Sequence, residues 1–416
     1  MRRSPLFPIF LIVLVDVFGL TLVIPLLAFY AEHFGATPLI ATSLVSTYAA
    51  CQFFAAPFLG NLSDRFGRKR LLLVSQLGTF LGFMVLARAN VLWVVFAGRA
   101  IDGVTAGNLT IAQAYIADNT TKQQRTMAFA LIGIAFGVGF FLGPAISGTL
   151  AHAYGLAAPI YLAAGLSFTS ILCTAFLLPS ESAARLPQPP GEEAAPEALP
   201  AGRRPSPFAF ETYAKYFSRP ILGGLFVQFL FFSIAFSTFT SGFALFSERR
   251  FTWEGHPFTT REVGFVFAYV GFLGIIIQGG LIRRLVPKFG EPVLVAVGFL
   301  SMAAGYAALS QVSAIAALLA VSTVSSFGNA ILRPALSGLI THAASRGEQG
   351  VVLGLTQSLG SIAQIGAPLL GGFLIGKGQL AAWALVAATA ALIGAVAGMW
   401  GSQRMPKHAA MEVKEV

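Results

Sequence analysis

Long apolar runs alternate with short polar breaks along the chain, and twelve of the runs reach the roughly 20 residues that a helix needs to cross a hydrocarbon layer. They fall at about residues 8–30, 43–62, 71–87, 92–117, 127–150 and 159–178, and then at 221–246, 262–282, 293–309, 315–340, 351–375 and 381–400. This pattern predicts an all-α membrane protein with twelve transmembrane helices in two six-helix bundles. Between the groups, residues 179–207 are rich in Pro, Ala and Glu and carry almost no large apolar side chain, so they cannot bury enough surface to order themselves. The chain therefore divides into a first bundle (1–178), a linker (179–219), a second bundle (220–402) and a tail (403–416). At the end of the linker, Phe208, Phe210, Tyr213, Tyr216 and Phe217 interleave with Glu211 and Lys215. That pattern suits a segment lying in the membrane interface or an aromatic entry to the seventh span.

Composition sharpens the picture. Apolar residues make up 56% of the 416 and charged ones only 11%, against roughly a quarter in soluble domains, which excludes a soluble globular enzyme. The net charge of +10 would suit nucleic acid, but its distribution argues otherwise. An even number of spans puts both termini on one side, and twenty Lys and Arg residues fall on that side, while Arg88, Arg249, Arg250, Arg261 and Lys377 are the five opposite. The positive charge therefore marks topology, with both termini and the linker expected in the cytoplasm and no nucleic-acid partner. Arg2 and Arg3 precede an apolar run too long for a signal-peptide core, so that run reads as an uncleaved span. Cys51 and Cys173 lie in apolar runs, and the five histidines lie near span ends or in loops. No disulfide, metal site, cofactor or catalytic set is expected.

The two halves are related in sequence. GNLSDRFG, from Gly60, matches GGLIRRLVPKFG, from Gly279, with a few extra residues in the second copy; Gly107-Asn108 matches Gly328-Asn329, and GPAISGTL from Gly143 matches APLLGGFL from Ala367. Such duplication marks transporters built from two bundles around a central cavity. The loop Gly60–Arg70 sets the carboxylate of Asp64 among Arg65, Arg68, Lys69 and Arg70 at a helix end, a composition suited to charge pairs that hold helices together. The fifth span reads GIAFGVGFFLGPAISG, whose glycines let neighbouring helices approach closely and whose Pro144 can kink it.

Charges within hydrocarbon are costly and point to function. Asp16 lies midway along the first span, Arg99 and Asp102 in the fourth and Arg333 in the tenth. Helical steps of three and four place Arg99, Asp102, Thr110 and Gln113 on one stripe through Ala106, and Ser322, Ser326, Asn329, Arg333 and Ser337 on another. Both stripes are expected to face one aqueous cavity, although Arg99 and Asp102 are also spaced to pair with each other for structure alone. In the seventh span Ser233, Ser237, Thr240 and Ser241 share a face near Phe232, Phe236 and Phe239, and in the eleventh Gln357, Ser361 and Gln364 align. Small polar groups among aromatics suit a lipophilic cargo.

Gly60, Leu62, Asp64, Arg65, Gly67, Arg68 and Lys69 fill every fixed position of G-x-L-x-D-R-x-G-R-K, and here the chain resembles the major facilitator superfamily. The resemblance runs over all twelve spans. It implies a gate on the side of the termini, in which the residue at Asp64 faces the second bundle and that at Arg68 pairs with an acid at Asp118; the second copy has Arg283 in place of Asp64, implying a weaker latch there. Gly139, Gly143, Pro144 and Gly148 resemble the antiporter signature G-x-x-x-G-P-x-x-G-G, with Ser147 where the signature has glycine. Asp16 takes the acidic position of the first-span motif, and Arg99, in FAGRAIDG, the arginine to which the family assigns proton coupling. The run GRAIDGVTAGNLTIAQAYIADNT resembles the tetracycline-efflux proteins and their drug:proton antiporter relatives, although their third-span acid aligns with Gly82.

Together these readings lead to the expectation of proton-coupled efflux of a small lipophilic compound from a bacterial inner membrane. Asp16, Arg99 and Asp102 would handle the proton, and Gln113, Ser233, Ser237, Asn329, Arg333, Gln357 and Gln364 would line the cavity. Small-molecule substrate, protons and the lipid bilayer are the partners expected, and the fold needs no second copy to form its cavity. Symport or facilitated uptake of a sugar or organic acid, with Arg99 or Arg333 binding an anion, is the first alternative; a non-transporting receptor with a transporter fold is the second.

Overall fold

The computed structural model describes residues 6–119, 122–179, 210–344 and 348–403. Its first half contains α1 (Leu6–Val23), α2 (Leu27–His33), α3 (Pro38–Phe66), α4 (Arg68–Ala87), α5 (Leu92–Val104), α6 (Asn108–Asn119), α7 (Lys122–Tyr154) and α8 (Ala158–Leu177). The second contains α9 (Phe210–Phe217), α10 (Pro220–Arg250), α11 (Thr260–Ile276), a π-helical turn (Ile277–Leu281), α12 (Ile282–Phe289), α13 (Glu291–Leu309), α14 (Ile315–His342), α15 (Gln349–Gly376) and α16 (Leu380–Gln403). A two-stranded ribbon, Thr252–Trp253 with His256–Pro257, joins α10 to α11. Phe58, Trp93 and Phe176 are 68%, 72% and 81% exposed, as lipid-facing side chains are.

Ten helices among the described residues are long and apolar enough to cross a membrane, and a bent pair, Pro8–Val23 with Leu27–His33, adds an eleventh span that turns through 42°. The bend follows from Pro25, whose missing N–H cannot bond the carbonyl four residues back. The fourth span differs from the continuous helix expected at residues 92–117, because Thr105, Ala106 and Gly107 separate α5 from α6. Here the Thr105 hydroxyl bonds back to the Ile101 carbonyl at 2.8 Å, while Ser75 of α4 accepts the Gly107 N–H at 3.0 Å and donates to the Thr105 carbonyl. One hydroxyl thus engages both a donor and an acceptor of the interrupted backbone. Arg99 and Asp102 consequently stand on one rod, and Thr110 and Gln113 on another.

The duplication read in the sequence reappears as backbone geometry. Gly67, between α3 and α4, has φ 95° and ψ 144°, and its counterpart Gly290, between α12 and α13, has φ 76° and ψ 155°. Side chains avoid this region, so glycine at both places lets each helix turn directly into the next. The linker is described only from α9 onward. There Arg219 grips Glu348, at the start of α15, through two bonds of 2.9 and 2.7 Å, and Tyr216 adds a third at 3.3 Å. Residues 180–209 and the tail beyond Gln403 lie outside the described residues.

Within the first half α1 packs on α7 and α8, and α4 on α5 and α8; within the second, α10 packs on α15 and α16, and α13 on α14 and α16. An aromatic core anchors the second half, with Phe239 stacked on Tyr306 at 5.0 Å and Phe246 on Trp383 at 4.7 Å between ring centres. The halves meet mainly along two seams, α3 with α15 and α7 with α11, and α10 also touches α2 and α3.

Replacing Gly67 or Gly290 by alanine is expected to cost on the order of 1–3 kcal/mol each, by forcing a Cβ into this backbone region. Gly133→Ala, where an added Cβ meets nothing within 4 Å, serves as the neutral control. Unfolding midpoints of the purified variants in detergent provide the comparison.

Candidate transport site

Arg99 and Asp102, one turn apart on α5, form an ion pair of 2.8 Å with their side chains 3% and 5% exposed. Tyr48 of α3 covers the guanidinium, 4.3 Å from ring centre to Cζ. Close approach of α4 makes the site dry: a Cβ on Gly82 would come within 2.9 Å of the Asp102 Cβ, so an acid does not fit at this third-span position without displacing α5. The two opposite charges that the sequence places in this span therefore satisfy each other inside the bundle.

Asp16 has a different setting. Its carboxyl lies beside Ser170 of α8, Gln76 of α4 and Asn108 at the start of α6, and Gln76 Nε2 donates to Ser170 Oγ at 2.7 Å. Asp16 Oδ1, Gln76 Oε1 and Asn108 Oδ1 are all buried and without a hydrogen-bond partner. No cation stands within ion-pair distance of Asp16 among the described residues. The Asp16 carboxyl thus has neutral hydrogen-bonding neighbours and no cation, and three oxygens of the cluster, from three helices, are buried without a partner.

The glycines of the fifth span serve two neighbours. Gly139 and Gly143 bring α7 against Val17 and Thr21 of α1, and on the other side Gly148 meets the Thr260–Arg261 backbone of α11. Ser147 donates to the Leu22 carbonyl at 2.5 Å. That carbonyl has lost its helical donor, because the Leu26 N–H turns to Val23 at the bend. The serine that departs from the glycine signature therefore closes the gap that Pro25 opens.

Glycines of the second half seal the two halves on the face opposite the termini. Pro144 of α7 sits on Gly264 of α11, Phe140 on Gly271, and Thr42 of α3 on Gly372 of α15, with Ser46 Oγ donating to the Ile365 carbonyl at 2.7 Å. Arg249 pairs with Glu32 across the halves and with Glu248 at 2.8 Å. Contact along α7 and α11 reaches Gly137 and Ile275, and one turn nearer the termini face an added Cβ on Gly133 or Gly279 meets nothing. The halves are closed on the far face and part toward the face of the termini.

At the depth where they part, Arg333 of α14 is exposed, and its guanidinium lies 5.4 Å from the ring centre of Phe136 in the opposite half. Asn329, one turn away, is turned aside, its amide donating to the Tyr306 hydroxyl at 3.0 Å. Ser233 and Ser237 are buried, Ser233 bonding to the Phe229 carbonyl at 2.8 Å. Gln113 and Gln364 are half-buried, and Gln357 is exposed. On the termini face Asp64 pairs with Arg68, which also donates to Ser63; Gly60 is buried and Arg65 is exposed. Asp118 lies near the end of α6, and its side chain is outside the described residues.

Comparison with known proteins decides the family. The model of the Major Facilitator Superfamily matches residues 9–313. The chain belongs to the major facilitator superfamily. It is 30% identical over 381 residues to the class D tetracycline resistance protein of Salmonella ordonez, covering 89% of each chain, and 31% identical over 368 residues to the class B protein of Escherichia coli, covering 86% of this chain and 85% of that one. Among solved structures, the human organic anion transporter MFSD10 superposes with a TM-score of 0.72 at 23% identity, over 95% of this chain and 99% of that one. This major facilitator protein is accordingly a membrane transporter and not an enzyme.

Residue patterns alone did not single out the partners of this transporter's buried charges. Gln76, Ser170 and Tyr48 read as isolated polar or aromatic positions in apolar runs, and Ser75 carried no signal of its bridging role. Asn108 was visible only as half of the repeated Gly-Asn pair.

Arg99→Leu alone is expected to cost about 3–5 kcal/mol by stranding a buried carboxylate, and Arg99→Leu with Asp102→Leu to regain most of it. A double-mutant cycle on unfolding free energy in detergent checks this; additive losses would show that the pair is not coupled.

Proposed function

We propose that this transporter exports a small lipophilic compound in exchange for protons by alternating access, with Asp16 as the proton carrier. It would act in the bacterial inner membrane, with both termini in the cytoplasm. The observation that carries the reading is the buried Asp16 carboxyl, which has only neutral neighbours and whose Oδ1 is without a partner. A proton on the Asp16 carboxyl would cancel a charge that no cation balances, whereas Asp102 already has its charge balanced by Arg99. In a hydrocarbon interior a carboxylate without a cation is stabilised by protonation, and one paired with arginine is not.

The cycle follows from this difference. Opened outward, the carrier takes a proton on Asp16 and releases its cargo; closed on the far face and parted toward the cytoplasm, it gives up the proton and admits the next cargo molecule. The proton gradient thereby drives export. The names of the curated relatives, which confer tetracycline resistance, support a drug-like cargo, and the fifth-span glycines support exchange through their contacts with both the first and the eighth span.

In proteoliposomes with an imposed pH gradient and an internal pH dye, tetracycline and a panel of lipophilic compounds are expected to trigger proton movement. Asp16→Asn is expected to reduce that movement at least tenfold while leaving gradient-free substrate exchange intact. Full gradient-driven transport by Asp16→Asn would remove this carboxyl from the coupling role.

A further inference from the structure

The second half of the molecule holds a cation whose counter-ion is missing. Of the two arginines that the sequence places within the hydrocarbon, Arg99 is engaged by Asp102 and covered by Tyr48. Arg333 has an aromatic neighbour but no counter-ion. Among the described residues no carboxylate lies within ion-pair distance of it and no acceptor takes any of its five N–H groups; its contact is the face of Phe136 across the opening between the halves. It is exposed there, 18 residues along α14 from Ile315, about 27 Å down the helix at 1.5 Å per residue.

From this we infer that Arg333 anchors an acidic group of the transported compound, so that the cargo class is the lipophilic organic anion. The inference rests on the reading of the central opening as the transport route and adds the chemistry of what passes through it. A guanidinium presents a planar fork of donors that matches a carboxylate, sulfonate or enolate in a two-bond geometry. Phe136 and its stacked neighbour Phe140, 6.5 Å away between ring centres, supply a flat apolar wall beside that fork. An arene bearing one acidic group fits both surfaces together. A lipophilic cation would meet the unpaired guanidinium at close range, where like charges repel, and a neutral compound would leave the fork unfilled. The neighbouring amide of Asn329 is held away by Tyr306, so the acidic group is drawn to Arg333 itself.

The test compares three probes of one ring system, 1-naphthylacetate, its neutral amide and 2-(1-naphthyl)ethylammonium, by calorimetric titration of the full chain in lipid nanodiscs. The acid is expected to bind at least tenfold more tightly than either of the others. Arg333→Gln is expected to erase that preference and Arg333→Lys to keep part of it, since lysine retains the charge without the fork. Equal binding of the three by the unaltered protein, preference for the ammonium, absence of binding, or a preference that survives in folded Arg333→Gln would each overturn the inference. The ranking by the unaltered protein decides the matter even where a variant fails to fold. Proton-driven export of a cation would defeat this inference and leave efflux standing, whereas Arg333-dependent binding of the acid with flux indifferent to the pH gradient would uphold it and defeat proton coupling.

Discussion

In hydrocarbon there is no water to accept a backbone group that a helix has released, and the architecture of this chain is organised around that shortage. At two places where a span departs from a regular helix, another span supplies the bond. Pro25 breaks the first span, and Ser147 of the fifth takes up the stranded Leu22 carbonyl. Three residues interrupt the fourth, and Ser75 of the third restores both a donor and an acceptor. The glycines that bring those neighbours in belong to the same solution as the hydroxyls that do the repair.

The shortage also separates the two carboxylates of the first half. Asp102 has its cation one turn away on its own helix and is closed off by α4 and Tyr48, which makes it a structural charge. Asp16 is surrounded by the neutral side chains of Ser170, Gln76 and Asn108. Two acids in one bundle thus have opposite requirements, and the difference lies in the side chains that touch them.

Much of this was legible in the sequence. Apolar runs located the spans because a bilayer imposes one length on every helix, and the matched glycines announced a duplication that Gly67 and Gly290 carry into the backbone. The breaks were not legible. Pro25 sits among Ile, Leu and Val and reads as part of an apolar run, and the turn at Thr105–Gly107 depends on a serine 30 positions earlier. At the site, hydropathy marked Asp16, Arg99, Asp102 and Arg333 as costly but could not say which of them would find a partner. The i, i+3 spacing allowed the Arg99–Asp102 pair, and helical periodicity placed Arg333 and Asn329 on one stripe, yet Tyr306 draws Asn329 aside while Arg333 stays exposed.

The duplicated loops on the face of the termini have become electrically unequal. In the first, Asp64 is engaged with Arg68; the second, α12, brings Arg283, Arg284 and Lys288 with no acid within the helix, and all three are exposed. Closing this face would bring two positively charged rims together across a narrowing gap, with Asp64 the one acid among the loop residues Gly60–Arg70 and Ile282–Phe289. Exposed charges feel each other over about 8–10 Å at ordinary ionic strength, so the work of that closure is set partly by the surroundings, in the concentration of dissolved salt and the density of anionic headgroups at the rim. The conformational balance of the carrier is then a property of the protein together with the membrane that holds it.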